Sequence, residues 1–313
     1  MNFQKTGNNL IDNFVTDCSE FSLAVAVGRF VRDIPVGDWS KRNYFYEKRI
    51  YNYIYKKYKD IFLKYAQRND NKAEPVSEKY IWVMWWDGYE NMPPIVKACY
   101  DRLKKCVTDE KLILITMDNY KEYVDLPEYI YEKVENKEIT LTHFSDIIRM
   151  NLLKQYGGLW IDSTVYVEKI PEYIFSSDMY VLKDYGLFPI FISRGERSPY
   201  LVCIKHENAF FAECIESVFL KYWTEHSTII DYLFIDYVIK IMRDNIPAVK
   251  ALIDSVPTTK GFYEMNLAMN EKYDEKRFNE IMESPMQKLS YKKDCSETID
   301  GELTMYGYMI RRK

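Results

Sequence analysis

The sequence predicts an α/β domain that follows a helical extension. Residues 80–86, 94–105 and 111–116 alternate apolar strand, helix and apolar strand, the βαβ unit of a sheet with helices on its faces. Residues 142–165 read as a helix, a glycine stop and a buried strand. The opening residues show helical periodicity instead, and a polar tract over 69–77 with Pro75 reads as a linker. The chain thus divides into a helical region over 1–77 and an α/β domain over 78–313.

The extension holds two predicted helices. Over 9–32, Leu10, Phe14, Phe21, Ala24, Val25 and Val27 form an apolar stripe, ended by Pro35 and Gly37. Over 41–68, aromatic residues from Tyr44 to Tyr65 interleave with many lysines and arginines against only Glu47 and Asp60. Such a helix either lies on an anionic membrane surface or packs its aromatic face on the neighbouring domain with its lysines in water.

In the α/β domain, Asp87-Gly88 turns out of the first strand. Pro93-Pro94 opens the next helix, where proline is tolerated in the first turn. Two short helices around Pro127 fill 118–134. In the following unit Phe144, Ile147, Ile148 and Leu152 recur at helical spacing. Thr142 is the expected N-cap, and Lys154 meets the negative end of the helix dipole. Gly157 and Gly158 stop the helix, because glycine takes the left-handed C-cap conformation cheaply. Leu159-Trp160-Ile161 is short, apolar and strand-like. Farther on, strands are expected over 179–182 and 188–193, and a polar loop over 194–199. Helices follow over 209–223 and 231–243, then strands or a covering arm over 288–293 and 303–311.

The polar residues of the 142–165 unit are few. Asp146 and Arg149, three apart, share a helix face. Asp162 and Thr164, two apart, point the same way in an extended chain. Asp162 closes an apolar strand, and ligands of α/β sheets collect at strand carboxyl ends. Singly, each reads as a surface ion pair or a turn residue; the double glycine between them joins them into one candidate site.

Other classes fit poorly. A net charge of −4 argues against a dedicated nucleic-acid binder. No glycine-rich dinucleotide or P-loop pattern occurs, and no Gly-x-Ser-x-Gly elbow. His143, His206 and His226 lack zinc spacing, and His143 reads as a polar residue at a helix start. The six cysteines form no Cys-x-x-Cys pair, and Cys99 and Cys106 lie about 10 Å apart along one helix, too far for a disulfide. Free thiols in a reducing cytosol are expected. The polar stretch over 1–17 shows no signal peptide, and no apolar run reaches membrane-spanning length, so a cytoplasmic protein is expected.

Ser145-Asp146-x-x-Arg149 followed by Tyr156-Gly157-Gly158-Leu159-Trp160-Ile161-Asp162-Ser163-Thr164 resembles the donor-binding core of the capsular polysaccharide synthesis family. That family is similar to the yeast outer-chain mannosyltransferases and the clostridial toxin glucosyltransferases. The likeness continues in Ile81–Gly88, Pro94–Cys99, Leu126–Ile130, Asp231–Asp236 and Lys288–Lys292, and covers about 78–293. It implies a GT-A, Rossmann-like fold with a mixed sheet flanked by helices. It also implies transfer of a sugar from a nucleotide sugar, UDP-linked by analogy, to a growing capsular polysaccharide or a lipid-linked acceptor, with retention of anomeric configuration.

By that resemblance, Asp146 holds donor-sugar hydroxyls, Arg149 fixes it and faces the phosphates, and Ser145 lies beside them. Asp162 binds ribose and sugar hydroxyls or a divalent cation, Mn²⁺ or Mg²⁺. Trp85 aligns with the tryptophan that stacks on uracil, with Trp82 and Trp86 as alternatives that strand alternation does not separate. As the alternative to a metal, Lys288, Lys292 or Arg194 carries the diphosphate charge without one; Asp231 or Asp236 is a candidate for acceptor binding or support of the site. Lipid-linked acceptors add weight to a membrane contact through 41–68. One departure stands out: the second acid of the relatives' Asp-x-Asp motif is Thr164 here, a poorer metal ligand. That substitution keeps a second reading open, a non-catalytic scaffold that binds a sugar nucleotide.

Overall fold

The computed structural model describes residues 7–67, 78–183 and 191–312. Four helices come first: α1 (Gly7–Glu20), α2 (Leu23–Asp33), α3 (Trp39–Lys57) and α4 (Lys59–Ala66). Each of the two helices expected from sequence is broken once. Ser22 interrupts the first, as its hydroxyl accepts the Val25 N–H (3.3 Å) and caps α2. Tyr58 interrupts the second in a non-helical conformation. The expected linker over 69–77 lies outside the described residues.

The α/β part then runs β1 (Tyr80–Met84), α5 (Pro94–Cys106), β2 (Lys111–Ile115), α6 (Glu128–Glu135), α7 (Leu141–Gln155), β3 (Gly158–Ile161), β4 (Val165–Val167), α8 (Glu172–Ser176), β5 (Met179–Leu182) and β6 (Ser198–Ile204). It continues through α9 (Phe210–Glu225), α10 (Phe234–Asn245), α11 (Pro247–Ser255), α12 (Glu264–Ala268), α13 (Glu275–Ile281), β7 (Met286–Lys288), β8 (Thr298–Ile299), β9 (Glu302–Leu303) and α14 (Met305–Arg311). The main sheet has the order β2-β1-β3-β6-β5. β1 is parallel to β2 and β3, and β6 is antiparallel to β3 and β5. A five-stranded mixed sheet flanked by helices is the GT-A-like α/β architecture. β4 and β7 form a separate antiparallel pair.

Three expectations change. α7 is capped by Thr140, whose hydroxyl accepts the His143 N–H at 3.3 Å, rather than by Thr142. Of the strand expected over 188–193, residues 188–190 lie outside the described residues, and 191–193 form a bend and turn. The strand here is β6, most of whose first half reads as polar loop in the sequence. Pro199 lies where the β5–β6 register shifts, and Leu201 to Ile204 are fully or almost fully buried. At the carboxyl end, residues 303–311 hold a helix, α14, capped by the Thr304 hydroxyl, which accepts the Gly307 N–H (3.0 Å).

α7 lies at the heart of the molecule: from His143 to Leu153 all but Ser145 are buried. It packs on α9 and leads directly into β3. Tyr46, Ile50 and Ile54 of α3, Tyr58 at the break, and Phe62 and Tyr65 of α4 belong to the same continuous core as the sheet. The aromatic face predicted over 41–68 is therefore turned onto the protein, against α9 and α10. Among the described residues no helix is long and apolar enough to cross a membrane.

Candidate active site

The turn between α7 and β3 sets the geometry. Gly157 and Gly158 have φ of 65° and 94°, in the left-handed region. A Cβ on Gly158 would lie 2.5 Å from the Tyr80 carbonyl oxygen, so only glycine lets β3 approach β1 here. Trp82, fully buried on β1, donates its indole N–H to the Gly157 carbonyl (2.9 Å) and ties the turn to the sheet. The polar residues of α7 and the end of β3 are thereby brought face to face.

Arg149 bridges two carboxylates. Its Nη1 donates to Asp146 Oδ1 at 2.8 Å and its Nη2 to Asp162 Oδ1 at 3.1 Å. The same Asp162 oxygen accepts the Trp160 indole N–H at 2.9 Å, and the guanidinium sits 4.8 Å from the Trp160 ring centroid. Asp162 Oδ2 accepts from Lys288 Nζ at 3.0 Å, and the same ammonium donates to Thr164 Oγ1 at 2.6 Å. The sheet ladder delivers Lys288, since β7 pairs Lys288 opposite Val165. Arg149 and Asp146 are buried, whereas the Asp162 side chain keeps 27% of its surface exposed, so Asp162 is the corner of the cluster that a ligand reaches first.

Burial by itself would raise the Asp162 carboxyl, but Lys288 and Arg149 outweigh it and hold the group below its ordinary value. Asp236, in the first turn of α10, goes the other way. Burial pushes it up to about 7; Arg197 opposes that rise and Asp146 adds to it. The two acids are thus poised differently, one held below its ordinary value and one raised to about 7.

The structure brings Asp146, Arg149, Asp162, Thr164 and Lys288 into direct contact, and Ser145 lies half-buried beside Asp146 on α7. Among the three tryptophans, Trp82 is core, stacked on Tyr80 at 4.9 Å. Trp86 packs on Tyr120 and Phe144. Trp85 is half-buried, its buried indole N–H has no partner, and Tyr291 meets it edge-on at 5.5 Å. Trp85 alone of the three thus combines an unpartnered donor with contact to the arm that follows Lys288. Arg194 does not join the cluster; it pairs with the buried Glu47 of α3 at 2.7 Å.

Sequence reasoning missed three residues. His143 is buried rather than a polar helix-start residue. Its ring lies against Phe219 and Phe234, and its Nδ1 is 3.6 Å from Asp146 Oδ2. The only signal was its position three before Asp146. Arg197 is fully buried and donates to the Ile192 carbonyl (2.8 Å) while facing Asp236. Tyr232, in the loop before α10, is 75% exposed. Desolvation and the charges of Asp146, Asp162 and Asp236 all push its phenol up.

The oxygens through which this motif could hold a divalent metal are engaged by other groups. Asp162 is the single acid of the motif, and both its oxygens already accept from cations. Among the described residues no group of three or more His, Cys, Asp or Glu could hold an ion. A cavity of about 590 Å³, lined by Lys79, Arg102, Lys105, Glu168 and Phe175 among others, opens near the start of β1 and contains none of these residues.

The profile of the capsular polysaccharide synthesis protein family matches residues 36–309, which takes in α3 and α4 as well as the α/β domain. The chain is similar to the O-glycosyltransferase PaGT of Phomopsis amygdali, with 30% identity over 95 residues. It is similar also to the O-glycosyltransferase braB of Annulohypoxylon truncatum, with 31% identity over 96 residues. In each case the aligned stretch is 28% of this chain and 23% of the relative, so the match spans less than a quarter of either relative's length.

Proposed function

Because the chain belongs to the capsular polysaccharide synthesis protein family, we propose that it is a glycosyltransferase that moves a sugar from a nucleoside diphosphate sugar to a saccharide or lipid-linked acceptor. The observation that carries the reading is the Asp146–Arg149–Asp162 bridge, with Lys288 on the open side of Asp162. Breaking the bond between C1 and the diphosphate builds positive charge on the sugar ring and negative charge on the leaving group. A site for that reaction needs carboxylates at the sugar and fixed cations at the diphosphate. Asp146 and Asp162 supply the first, and Arg149 and Lys288 the second. Their geometry is set by a helix and two strands before any ligand arrives, and such preorganisation is where most electrostatic catalysis comes from.

Trp85 is the proposed base platform, a half-buried ring at the end of β1 that Tyr291 meets edge-on. Tyr232 is the proposed acceptor platform: an exposed ring beside the acids offers a flat apolar face and a hydroxyl to a sugar. Retention of configuration fits a site whose acids are held by salt bridges rather than free to attack C1. The acceptor hydroxyl then approaches on the side the diphosphate leaves. Thr164, where the chain departs from the relatives' motif, accepts from Lys288 and so has a part in the charged cluster.

The test is turnover of nucleotide sugars by the purified protein, read as release of nucleoside diphosphate. Asp162→Asn is expected to lower the rate by about 100-fold or more, on the scale of losing a transition-state contact. Full activity in that variant would remove the assignment. Proton NMR of the new anomeric centre decides retention.

A further inference from the structure

We propose that this site works without a divalent metal, with Lys288 Nζ taking the place of the ion at Asp162 and donating to the diphosphate. The proposal rests on the glycosyltransferase reading above and says how its leaving group is held.

The donor atoms argue first. Mg²⁺ takes oxygen ligands at about 2.1 Å in near-ideal octahedral geometry. It is commonly held through one or two carboxylates with waters and substrate phosphates, so what decides here is whether the motif's oxygens are open to it. Asp162 Oδ1 is occupied by Arg149 and Trp160, and Oδ2 by Lys288 at 3.0 Å. Thr164 Oγ1 is also taken by Lys288. An ion bound between Asp162 and Thr164 would fall on the ammonium itself.

Lys288 is moreover a built-in group. Its backbone N–H donates to the Phe262 carbonyl (2.7 Å), and the next residue, Leu289, donates to the Thr164 carbonyl (2.8 Å). The preceding Gln287 is fully buried. Its amide donates to the carbonyls of Gly261 (2.8 Å) and Ser284 (3.0 Å), and its oxygen accepts the Met265 N–H (2.9 Å). The ammonium also lies 4.9 Å from the Tyr200 ring centroid. Sheet register, a satisfied amide and an aromatic face thus hold this lysine at Asp162.

Charge and proton inventory complete the argument. Arg149 and Lys288 together carry two positive charges, the charge of one divalent ion. A lysine ammonium has three N–H donors. Asp162 and Thr164 use two of Lys288's, and the third remains for a diphosphate oxygen. In the transfer, the bond between C1 and the diphosphate oxygen breaks and its electron pair stays on that oxygen. The bond between C1 and the acceptor oxygen forms, and the acceptor hydroxyl's proton passes to the departing diphosphate. Lys288 stays protonated throughout and lowers the cost of the charge gained by the leaving group.

The experiment is titration calorimetry of the full chain with UDP, GDP, CDP and ADP, each in excess EDTA and in millimolar Mn²⁺. The expected result is that at least one nucleotide binds in EDTA with an affinity within about tenfold of that in Mn²⁺. Lys288→Met should weaken that binding by about tenfold or more, with no recovery in Mn²⁺, while Lys288→Arg retains part of it. Should Lys288→Met not fold, the wild-type pair of titrations and Lys288→Arg decide the matter. Binding that needs Mn²⁺ by more than about tenfold overturns the proposal and leaves the glycosyltransferase reading standing. So does wild-type affinity in folded Lys288→Met. Failure of all four nucleotides in both conditions overturns the glycosyltransferase reading as well.

Discussion

Arg149 shows what a single side chain can settle. It is buried, it touches both acids of the cluster, and its fork geometry lets one residue set their separation, which a lysine would not do. The spacing of Asp146, Arg149 and Asp162 was legible in the sequence, because a helix face and a strand end are local properties. Arg197 and His143 were not legible. Their importance comes from burial beside Asp236 and Asp146, and burial is decided by elements far along the chain. Asp236 carries the prediction at this scale. A carboxyl raised to about 7 binds its proton more tightly in the folded chain than in the unfolded one. Its contribution to stability is fully present below the unfolded value of 3.8 and is lost as pH rises to about 7. Asp236→Asn lacks this titration. The difference in melting temperature between wild type and variant is therefore expected to shift against the wild type between pH 5 and pH 7 and to level off above pH 8. A difference that stays constant across that range contradicts the shifted acid.

Among the elements, the glycine turn and the β4–β7 ladder decide whether the charged residues meet. Gly158→Ala places a Cβ 2.5 Å from the Tyr80 carbonyl at a φ of 94°. A cost of roughly 1–3 kcal/mol is expected from backbone strain alone. Because β3 must then move from β1, activity should fall further than stability, as denaturant melts and turnover rates measured together will show. Gln287→Leu keeps the volume but strips partners from the Met265 N–H and the carbonyls of Gly261 and Ser284. Leaving buried polar groups unpaired costs about 1–3 kcal/mol. The variant should lower the denaturation midpoint and weaken nucleotide binding through Lys288; binding equal to wild type would separate the two. The three parallel strands and the central helix could be read from periodicity. β6 could not, because Ser198, Pro199 and Tyr200 hide its first half among polar residues. α14 could not either, since a glycine within a short apolar segment signals a break when its surroundings are unknown.

For the molecule as a whole, the helical extension acts as a brace for the site. Tyr46 of α3 donates to Asp231 Oδ2 at 2.9 Å across 185 positions of sequence, and Arg32 of α2 lies 3.7 Å from the same oxygen. Glu47 holds Arg194 across 147 positions. One helix, α3, thus grips both the loop before α10 and the turn that carries Arg194, and Tyr232 stands next to the gripped Asp231. Sequence reading found this region helical and amphipathic. It could not find these pairings, because nothing local marks partners so far apart. Tyr46→Phe keeps the ring in the core and removes the hydroxyl. It is expected to raise the acceptor KM several-fold with the donor KM unchanged, as initial-rate kinetics with each substrate varied in turn will read. An equal effect on both substrates would place Tyr232 outside the acceptor path.

Arg29 and Arg32 lie before residue 36, where the family match begins, yet Arg29 donates to the Ile230 carbonyl and Arg32 faces Asp231. Substitutions in that leading segment can therefore reorient the rim on which an incoming sugar chain would settle. They would leave untouched the Asp146–Arg149–Asp162 bridge and Lys288, the residues proposed to act on the donor. In the proposed reaction, recipient preference and bond-breaking power would then be separately adjustable.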